Sequence, residues 1–243
     1  MFKRKFSAPI APDQTLYVIG DIHGRADLLQ DLMTIIATDR QDRDAQIIFV
    51  GDYFDRGPNS RQTLQILLTH AQTHPNSVFL RGNHDYMLLK FLDNPTASRQ
   101  WLRHGGDETL ASFGMPGLSQ NSAGDTLQKA AHGLIHALTP QGLLFLQDLR
   151  TSTQSGNVFV AHAGADPAHA LDDQDEHTLL WGAPKFLSGI RRDGIWVAHG
   201  HFADPEPSVR DGRISTDTGA YFSDRLTAAR ITPGDVTFLS TGP

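Results

Sequence analysis

The sequence predicts a layered α/β fold in which parallel strands alternate with helices. Three short apolar runs lie at 16–19, 47–50 and 78–80, and such runs are typical of buried strands. A polar loop follows each run, and segments with apolar residues at helical spacing come next. Strand, loop and helix repeated in this order indicate parallel strands joined by crossover helices.

The first half of the chain divides into these elements in order. Apolar residues between 28 and 36 recur at helical spacing, which predicts a crossover helix after the first strand. Asn59 or Ser60 can cap a second helix that ends before residue 75. The predicted elements of this half are strands at 16–19, 45–50 and 78–80 and helices at about 26–38 and 60–74.

Residues from about 86 to 156 are predicted to form a mainly helical insertion beside the sheet. The sequence Asp93-Asn94-Pro95 should end its first helix, and 114–124 is a polar, glycine-rich loop. The acidic run at 172–176 is interpreted as a solvated loop. Strands are predicted again at 157–161, 194–198, 212–215, 226–231 and 236–239, with a turn at Gly234-Asp235 before the last. At 243 residues, the whole chain is expected to be one domain.

Composition and charge exclude several classes of protein. A formal net charge of −6 disfavours a general nucleic-acid binder, which would need a basic surface. The absence of cysteine excludes disulfides, thiolate metal sites and cysteine nucleophiles. No apolar run approaches the roughly 20 residues of a membrane span, and the basic segment 1–6 lacks the apolar stretch of a signal peptide. We therefore expect a cytoplasmic, monomeric protein without a membrane or nucleic-acid partner.

Polar side chains that can bind metals follow five of the predicted strands. A single loop rich in Asp, Gly and Pro would be an ordinary solvated turn. The recurrence of such loops at strand ends instead indicates one site, because open α/β sheets bind ligands at the carboxyl ends of their strands. The five segments are Gly20–Gly24 (GDIHG), Gly51–Pro58 (GDYFDRGP), Arg81–Asp85 (RGNHD), Ala161–Gly164 (AHAG) and His199–His201 (HGH).

These five segments resemble the ordered motifs of the metal-dependent serine/threonine phosphoprotein phosphatases, within the calcineurin-like metallophosphoesterase superfamily. Trp101–Leu110 (WLRHGGDETL) and Asp217–Ala220 (DTGA) further resemble segments of its short bacterial and phage branch. The resemblance implies an α/β sandwich of two mixed β-sheets flanked by helices. It also implies a dinuclear metal site at the carboxyl ends of the strands.

The candidate ligands are carboxylates, imidazoles and one amide, which suit Mn²⁺, Fe or Zn²⁺ in mixed oxygen and nitrogen sites. We expect two divalent ions, with manganese preferred and iron or zinc as alternatives. Asp52 should bridge the two ions, and the matching family positions have the same roles. The six predicted ligands are Asp21, His23 and Asp52 for one ion, with Asn83, His162 and His201 completing the second.

Two such ions can hold a phosphate and activate a water for in-line attack, so no protein nucleophile is needed. His84, next to the ligand Asn83, is the candidate general acid, and Asp55 should accept a hydrogen bond from its other ring nitrogen. Arg56 is predicted to bind the phosphate oxygens through its planar guanidinium group. Arg81 is a further candidate phosphate ligand, although pairing with a loop carboxylate is an equally good interpretation.

Two positions depart from the family pattern, and both affect the phosphate pocket. The family usually has a second phosphate-binding arginine shortly after a tryptophan. Here Ala183 takes that position, and Lys185 is the candidate replacement. Phe202 follows His201 where a small hydroxyl residue is common. These departures bear on substrate class more than on the metal chemistry.

The expected function is hydrolysis of phosphomonoesters, with phosphoserine or phosphothreonine in proteins as the first expectation. The alternative is a hydrolase of nucleoside polyphosphates of the diadenosine tetraphosphate type, or a broad phosphoesterase acting on small molecules. A non-catalytic scaffold on the same fold is disfavoured because all six ligands, His84 and Arg56 are present. A nucleic-acid phosphodiesterase is disfavoured by the net charge.

Overall fold

The structure, a computed structural model, describes residues 6–41 and 43–242. Most of the basic N-terminal segment interpreted as a tail, residues 1–5, therefore lies outside the described residues. The described part contains two five-stranded β-sheets with helices on their outer faces. This architecture confirms the predicted sandwich.

The first sheet has the strand order β10-β9-β1-β2-β3. Parallel pairing joins β1 to β2 and β2 to β3, whereas β9 pairs antiparallel with both β1 and β10. All five strands were predicted, with bounds that differ by one or two residues. The strands are β1 (Thr15–Ile19), β2 (Ala45–Phe49), β3 (Val78–Phe79), β9 (Thr227–Thr232) and β10 (Asp235–Ser240).

The second sheet has the strand order β4-β5-β6-β8-β7. The central strands β5, β6 and β8 run parallel, and β4 and β7 add to the two edges in antiparallel pairing. Both edge strands were missed because their sequences, STQS and SVR, are short and carry little apolar pattern. The strands are β4 (Ser152–Ser155), β5 (Val158–Ala161), β6 (Trp196–His199), β7 (Ser208–Arg210) and β8 (Arg213–Ser215).

The alternation of side chains along the strands divides the core into layers. In β1, Leu16 and Val18 pack between the two sheets, whereas Tyr17 and Ile19 face the helices. Successive residues of a strand point to opposite faces, so a fully apolar strand can serve both layers. Strands of both sheets contribute to the inner layer, with Ile48 from β2 and Val158 and Val160 from β5. The parallel strands of both sheets are therefore held close enough for their ends to build one site.

Seven α-helices and two 3₁₀ helices complete the described part. The first two helices match the predicted crossovers and pack against the first sheet through leucines such as Leu29, Leu32, Leu64 and Leu67. The helices are α1 (Ala26–Arg40), α2 (Ser60–Thr73), α3 (Asn83–Asp93), α4 (Gly106–Ser112), α5 (Gly124–Gln147), α6 (Glu176–Trp181) and α7 (Ala220–Ser223), with 3₁₀ helices at Arg99–His104 and Leu171–Asp173.

The predicted helical insertion at 86–156 is helical as far as Gln147, but its last residues form β4 instead. Most of the second half of this insertion is α5, which is interrupted at Thr139. Pro140 explains this interruption, because proline lacks an N–H donor and disfavours helical geometry at the preceding residue.

The acidic residues at 172–176 are exposed, as predicted, but the run is not a loop throughout. Part of the run belongs to the second 3₁₀ helix, and Asp175 caps α6 by accepting a hydrogen bond from the backbone N–H of Thr178 at 2.6 Å. Within the described ranges, no helix is both long enough and apolar enough to cross a membrane.

Candidate metal centre

The predicted ligands meet where the parallel strands of both sheets end. The loops after β1, β2 and β3 supply residues from the first sheet, and the loops after β5 and β6 supply His162 and His201 from the second. Two groups of side chains could hold a metal ion, and both include Asp52. They are His23 with Asp52 and His84, and Asp52 with His162 and His201. A carboxylate shared by two groups fits the predicted bridging position.

In the first group, His23 directs its Nε2 atom toward Asp52. The Nε2 atom lies 3.5 Å from Asp52 Oδ2, and the opposite ring nitrogen, Nδ1, lies 2.8 Å from the backbone oxygen of Phe54. The backbone carbonyl accepts the Nδ1 proton and so leaves the Nε2 lone pair free. A hydrogen bond of this kind is the usual support of a metal-binding histidine.

The second group adds the amide oxygen of Asn83. His162 Nε2 lies 2.9 Å from Asn83 Oδ1 and 3.5 Å from Asp52 Oδ2. His201 Nδ1 also lies 2.9 Å from Asn83 Oδ1. As with His23, a backbone oxygen supports the ring of His162, since Val50 O lies 3.1 Å from its Nδ1. One amide oxygen, one carboxylate and two imidazoles thus converge on one point.

Asp21 lies outside the two groups, and its sharing of an ion with His23 stays a prediction. Its two carboxylate oxygens each lie 3.2 Å from the backbone N–H of His201, and Oδ1 lies 3.9 Å from His162 Nδ1. The N–H of His201 holds this carboxylate at the border of the second group. In the first group, His84 takes the third place instead.

The charges of the centre favour a bound cation. Burial raises the pKa of Asp21, and repulsion from Asp217 and Asp52 raises it further. Among the described residues, no lysine or arginine forms an ion pair with Asp21 or Asp52. Burial also lowers the pKa of His23 to about 3 and that of His201 to about 4, so both imidazoles are neutral and can donate a lone pair. Divalent cations fit this donor set.

The backbone around the centre is both crowded and strained. A Cβ atom at Gly82 would collide with the Asp52 carboxylate, and one at Gly200 would collide with that of Asp21. Left-handed backbone is costly for residues other than glycine and clusters at functional sites. Five predicted site residues have positive φ: His23, Asp52, Asp55, Arg56 and His201.

Asp85 supports this backbone, although the sequence assigned it no role. Its carboxylate is buried and accepts hydrogen bonds from the backbone N–H groups of Asp52 at 2.8 Å, Tyr53 at 3.1 Å and Gly82 at 2.8 Å. These bonds join the loop after β2 to the loop after β3. Asp85 is the last residue of the RGNHD segment, but that segment alone does not reveal that its carboxylate bonds the loop after β2.

His84, a member of the first group, is also connected to Asp55 and Arg56. His84 Nδ1 lies 2.8 Å from Asp55 Oδ2, and its Nε2 lies 3.1 Å from an Arg56 Nη2 atom. Burial works to lower the pKa of His84, but attraction to Asp52 and the hydrogen bond to Asp55 outweigh it and raise the pKa. The structure thus brings together the three residues predicted for proton transfer and phosphate binding.

Two residues of the helical insertion hold Asp55, and sequence reasoning gave neither a role. Trp101 Nε1 donates to Asp55 Oδ2 at 2.8 Å, and Thr109 Oγ1 donates to Asp55 Oδ1 at 2.7 Å. The backbone N–H of Asp55 also donates to Thr109 Oγ1 at 2.9 Å. Both residues lie in the WLRHGGDETL segment, whose resemblance to the bacterial branch was the available signal.

The other two predicted phosphate ligands do not join this set. Arg81 pairs with Glu176 at 3.0 Å and donates to the backbone oxygen of Gln147 at 3.1 Å, which matches its alternative interpretation. Lys185 is exposed, and among the described residues its side chain makes no hydrogen bond or ion pair with the site. Of the three, only Arg56 contacts a predicted site residue.

The two departures from the family pattern lie in one apolar cluster. Phe202 and Ala183 both pack against a group that includes Phe186 and Leu179. The Phe202 ring lies against Gly182, where a Cβ atom would collide with it. Ala183, at the position where the family usually has an arginine, therefore lies in an apolar cluster.

The fold and this site define a metal-dependent phosphoester hydrolase. The chain belongs to the calcineurin-like phosphoesterase family, whose model matches residues 15–224. It is 27% identical over 234 residues to the asymmetrical bis(5′-nucleosyl)-tetraphosphatase PrpE of Oceanobacillus iheyensis, covering 88% of this chain and 87% of that one. The PrpE of Bacillus thuringiensis is also 27% identical, over 237 residues, covering 88% of this chain and 89% of that one.

The fold is shared with solved structures, of which two are described here. One is a crystal structure of a putative diadenosine tetraphosphatase, with a TM-score of 0.62, 21% identity and coverage of 96% of this chain and 98% of that one. The other is the cold-active protein-tyrosine phosphatase of a psychrophilic Shewanella species, with a TM-score of 0.59, 16% identity and coverage of 98% and 86%. At these identities the similarity concerns the fold alone.

Proposed function

We propose that this protein hydrolyses nucleoside polyphosphates of the dinucleoside tetraphosphate type, using two divalent cations. The observation that carries the hydrolytic activity is the pair of candidate ligand groups that share Asp52, one of which includes His84, with Arg56 lying 3.1 Å from His84. The choice of substrate is supported by the tetraphosphatases that resemble the chain along 88% of its length. This is the alternative considered above, and it now takes precedence over phosphoproteins.

Each residue of the site has a distinct task in this proposal. Bound divalent cations would activate a water and neutralise phosphate oxygens. Asp52 would contact both ions, with Asp21 and His23 on one side and Asn83, His162 and His201 on the other. Manganese is the preferred metal, with iron or zinc as alternatives, because the donors are oxygen and nitrogen atoms only.

Arg56 and His84 act on the phosphoryl group itself. Arg56 is exposed beside the centre and would bind phosphoryl oxygens as negative charge grows on them. His84 would give its Nε2 proton to the departing oxygen, and Asp55 would hold the ring in place through Nδ1. In a tetraphosphate the departing group is a triphosphate, which needs less protonation than an alcohol.

A direct comparison of substrates tests the proposal. The purified protein is stripped of metal, reloaded with Mn²⁺, and assayed on diadenosine tetraphosphate, a phosphoserine peptide and p-nitrophenyl phosphate. We expect the highest kcat/KM on diadenosine tetraphosphate, with a nucleoside monophosphate and a triphosphate as products. Rapid hydrolysis of the phosphopeptide without cleavage of the dinucleotide would favour our first expectation instead.

Several expectations remain as predictions from the sequence: a single domain, a monomeric state and a cytoplasmic location. Size-exclusion chromatography with light scattering measures the second of them directly. A dimer with the site at its interface would contradict a monomeric enzyme.

A further inference from the structure

Two exposed aromatic residues meet edge to face next to the candidate metal centre, with an angle of 84° between their rings. Tyr221 is 37% exposed and Phe222 is 56% exposed, and their ring centroids are 4.9 Å apart. The other large apolar residues exposed in the described part of the chain are aliphatic: Leu144, Leu187 and Val209. Aromatic surface left open to water next to a site points to a ligand.

Tyr221 directly adjoins the residues that would bind the phosphoryl group. Its ring lies edge-on to the His23 ring, with centroids 5.3 Å apart, and the Arg56 guanidinium carbon lies 4.8 Å from the Tyr221 ring centroid. Tyr221 therefore adjoins both His23 of the first ligand group and Arg56, and Phe222 adjoins Tyr221. A molecule that carries both a phosphate and a flat apolar group would match this surface.

The aromatic pair is held in place by the residues around it. Arg25 donates to the backbone oxygen of Ala220 at 2.9 Å and forms an ion pair with Asp224 at 2.5 Å. The Phe222 ring packs on Gly219, where a Cβ atom would collide with it, and the buried Asp217 carboxylate accepts the N–H of Gly219 at 2.9 Å. A platform that is ordered before binding loses little conformational entropy when a ligand stacks on it.

We propose that Tyr221 and Phe222 form the subsite for the nucleobase of the nucleotide whose 5′-phosphate lies at Arg56 and the metal centre. This inference rests on the proposed function and specifies which part of the substrate the protein recognises. Only one ribose separates a base from its 5′-phosphate, so the base must bind beside the phosphate subsite, where Tyr221 lies. The platform accordingly suits asymmetric cleavage, in which the attacked phosphorus is the one next to a nucleoside.

Stacking has a consequence for specificity. Every nucleobase presents a flat face, so aromatic stacking tolerates different bases and favours the larger purines. Tyr221 and Phe222 are therefore specificity-determining residues that select nucleotides over simple phosphate esters. The competing occupant of the same surface is the phenyl ring of phosphotyrosine.

The test compares ligands that differ only in the base. Inhibition constants for AMP and ribose 5-phosphate are measured from initial rates of p-nitrophenyl phosphate hydrolysis by the manganese-loaded protein, with the reporter KM determined for each variant. We expect AMP to bind about 10-fold or more tightly than ribose 5-phosphate, the order of one base stacked on aromatic side chains. The Tyr221→Ala, Phe222→Ala double variant should bring this ratio to within about twofold.

Two controls separate the platform from a general effect on the fold. Tyr221→Trp keeps an aromatic face and should retain the preference for AMP. Leu144→Ala removes an equally exposed apolar side chain on α5 and should change neither constant. Ribose 5-phosphate should inhibit all variants equally, because it reaches only the phosphate subsite.

The outcomes divide clearly. Equal inhibition by AMP and ribose 5-phosphate in the wild-type protein, or a preference that survives the double variant, overturns the nucleobase subsite. Stronger inhibition by a phosphotyrosine peptide than by AMP, lost in the double variant, would assign the platform to a phenyl ring instead. None of these measurements requires cleavage of a dinucleotide. The proposed function is tested by a separate assay, and it fails if the protein does not hydrolyse diadenosine tetraphosphate.

Discussion

The strand-end loops and the segment Arg99–Ser112 both build the candidate site, but in different ways. The loops place Asp52, Asn83 and the histidines within reach of one another. The segment, which we call the clamp segment, contributes Trp101 and Thr109, whose side chains bond Asp55. Parallel strands thus bring the candidate metal-binding atoms together. Helices added beside the sheet instead orient Asp55, and Asp55 in turn orients His84.

This comparison predicts two kinds of variant. Changes of the predicted ligands in the strand-end loops should remove metal together with activity. Changes in the clamp segment should leave metal in place and alter only the steps that depend on His84. Metal content measured beside kinetics distinguishes the two.

The largest effect is expected for Asp52→Asn, because both ligand groups lose their shared carboxylate. We expect kcat/KM to fall by roughly 10³-fold or more, with loss of bound metal measured by elemental analysis. Chelation of the wild-type protein should have the same effect, and Mn²⁺ should reverse it. Asp172→Asn, which changes an exposed carboxylate, is the control and should keep full activity. Full turnover by protein shown to be free of metal would contradict a metal-dependent mechanism.

His84→Asn tests whether a residue of the strand-end loops can act without binding metal. We expect both metals to remain and kcat on an alkyl phosphate to fall by roughly 10²- to 10⁴-fold, the usual contribution of a general acid. The loss should be smaller on p-nitrophenyl phosphate and on diadenosine tetraphosphate, whose leaving groups need less protonation. If the variant loses metal instead, His84 is a ligand, as its place in the first group would allow.

Arg56→Ala should have the next largest effect, since only this predicted phosphate ligand contacts the site residues. We expect kcat/KM to fall by more than about 30-fold, which corresponds to about 2 kcal/mol of lost transition-state stabilisation. The bound metal should be retained. Lys185→Ala is the control, because it also removes one positive charge. Its kcat/KM should stay within about twofold of the wild-type value. A loss for Lys185→Ala equal to that for Arg56→Ala would show that lysine replaces the missing arginine of the family.

The smallest effect is expected in the clamp segment. Thr109→Val removes the hydroxyl that bonds Asp55 Oδ1 at 2.7 Å, and we expect a loss in kcat of about 5- to 20-fold with metal retained. The loss should grow with the pKa of the leaving alcohol, because Thr109 acts through Asp55 on the proton donor. Trp101→Phe should behave in the same way.

Ser112→Ala provides the control for this prediction, since Ser112 belongs to the same segment but bonds Arg61 and the backbone of Thr109 instead of Asp55. A loss that is equal for all leaving groups would indicate that Thr109 supports the fold only. If Thr109→Val loses metal, the clamp segment also supports metal binding, and it then no longer differs from the strand-end loops in this respect.

The sequence by itself determined the parallel strands and the residues that follow them. Apolar runs such as 47–50 bury on both faces, so their pattern is visible locally, and the next polar residues must lie at the edge of the sheet. This reasoning found the six predicted ligands together with His84, Asp55 and Arg56. The comparisons show the family, and the tetraphosphatase relatives changed the preferred substrate.

Only the tertiary structure decided which distant side chains meet. Trp101 and Thr109 reach Asp55 across 46 and 54 residues, and Arg81 reaches Glu176 across 95. The polar edge strands β4 and β7 also depend on neighbours that their own sequences do not reveal. Periodicity reports whether a residue is buried, but the choice among many possible buried partners depends on how helices and sheets pack. For that reason the candidate ligands could be predicted from the chain, whereas the contacts that hold Asp55 could not.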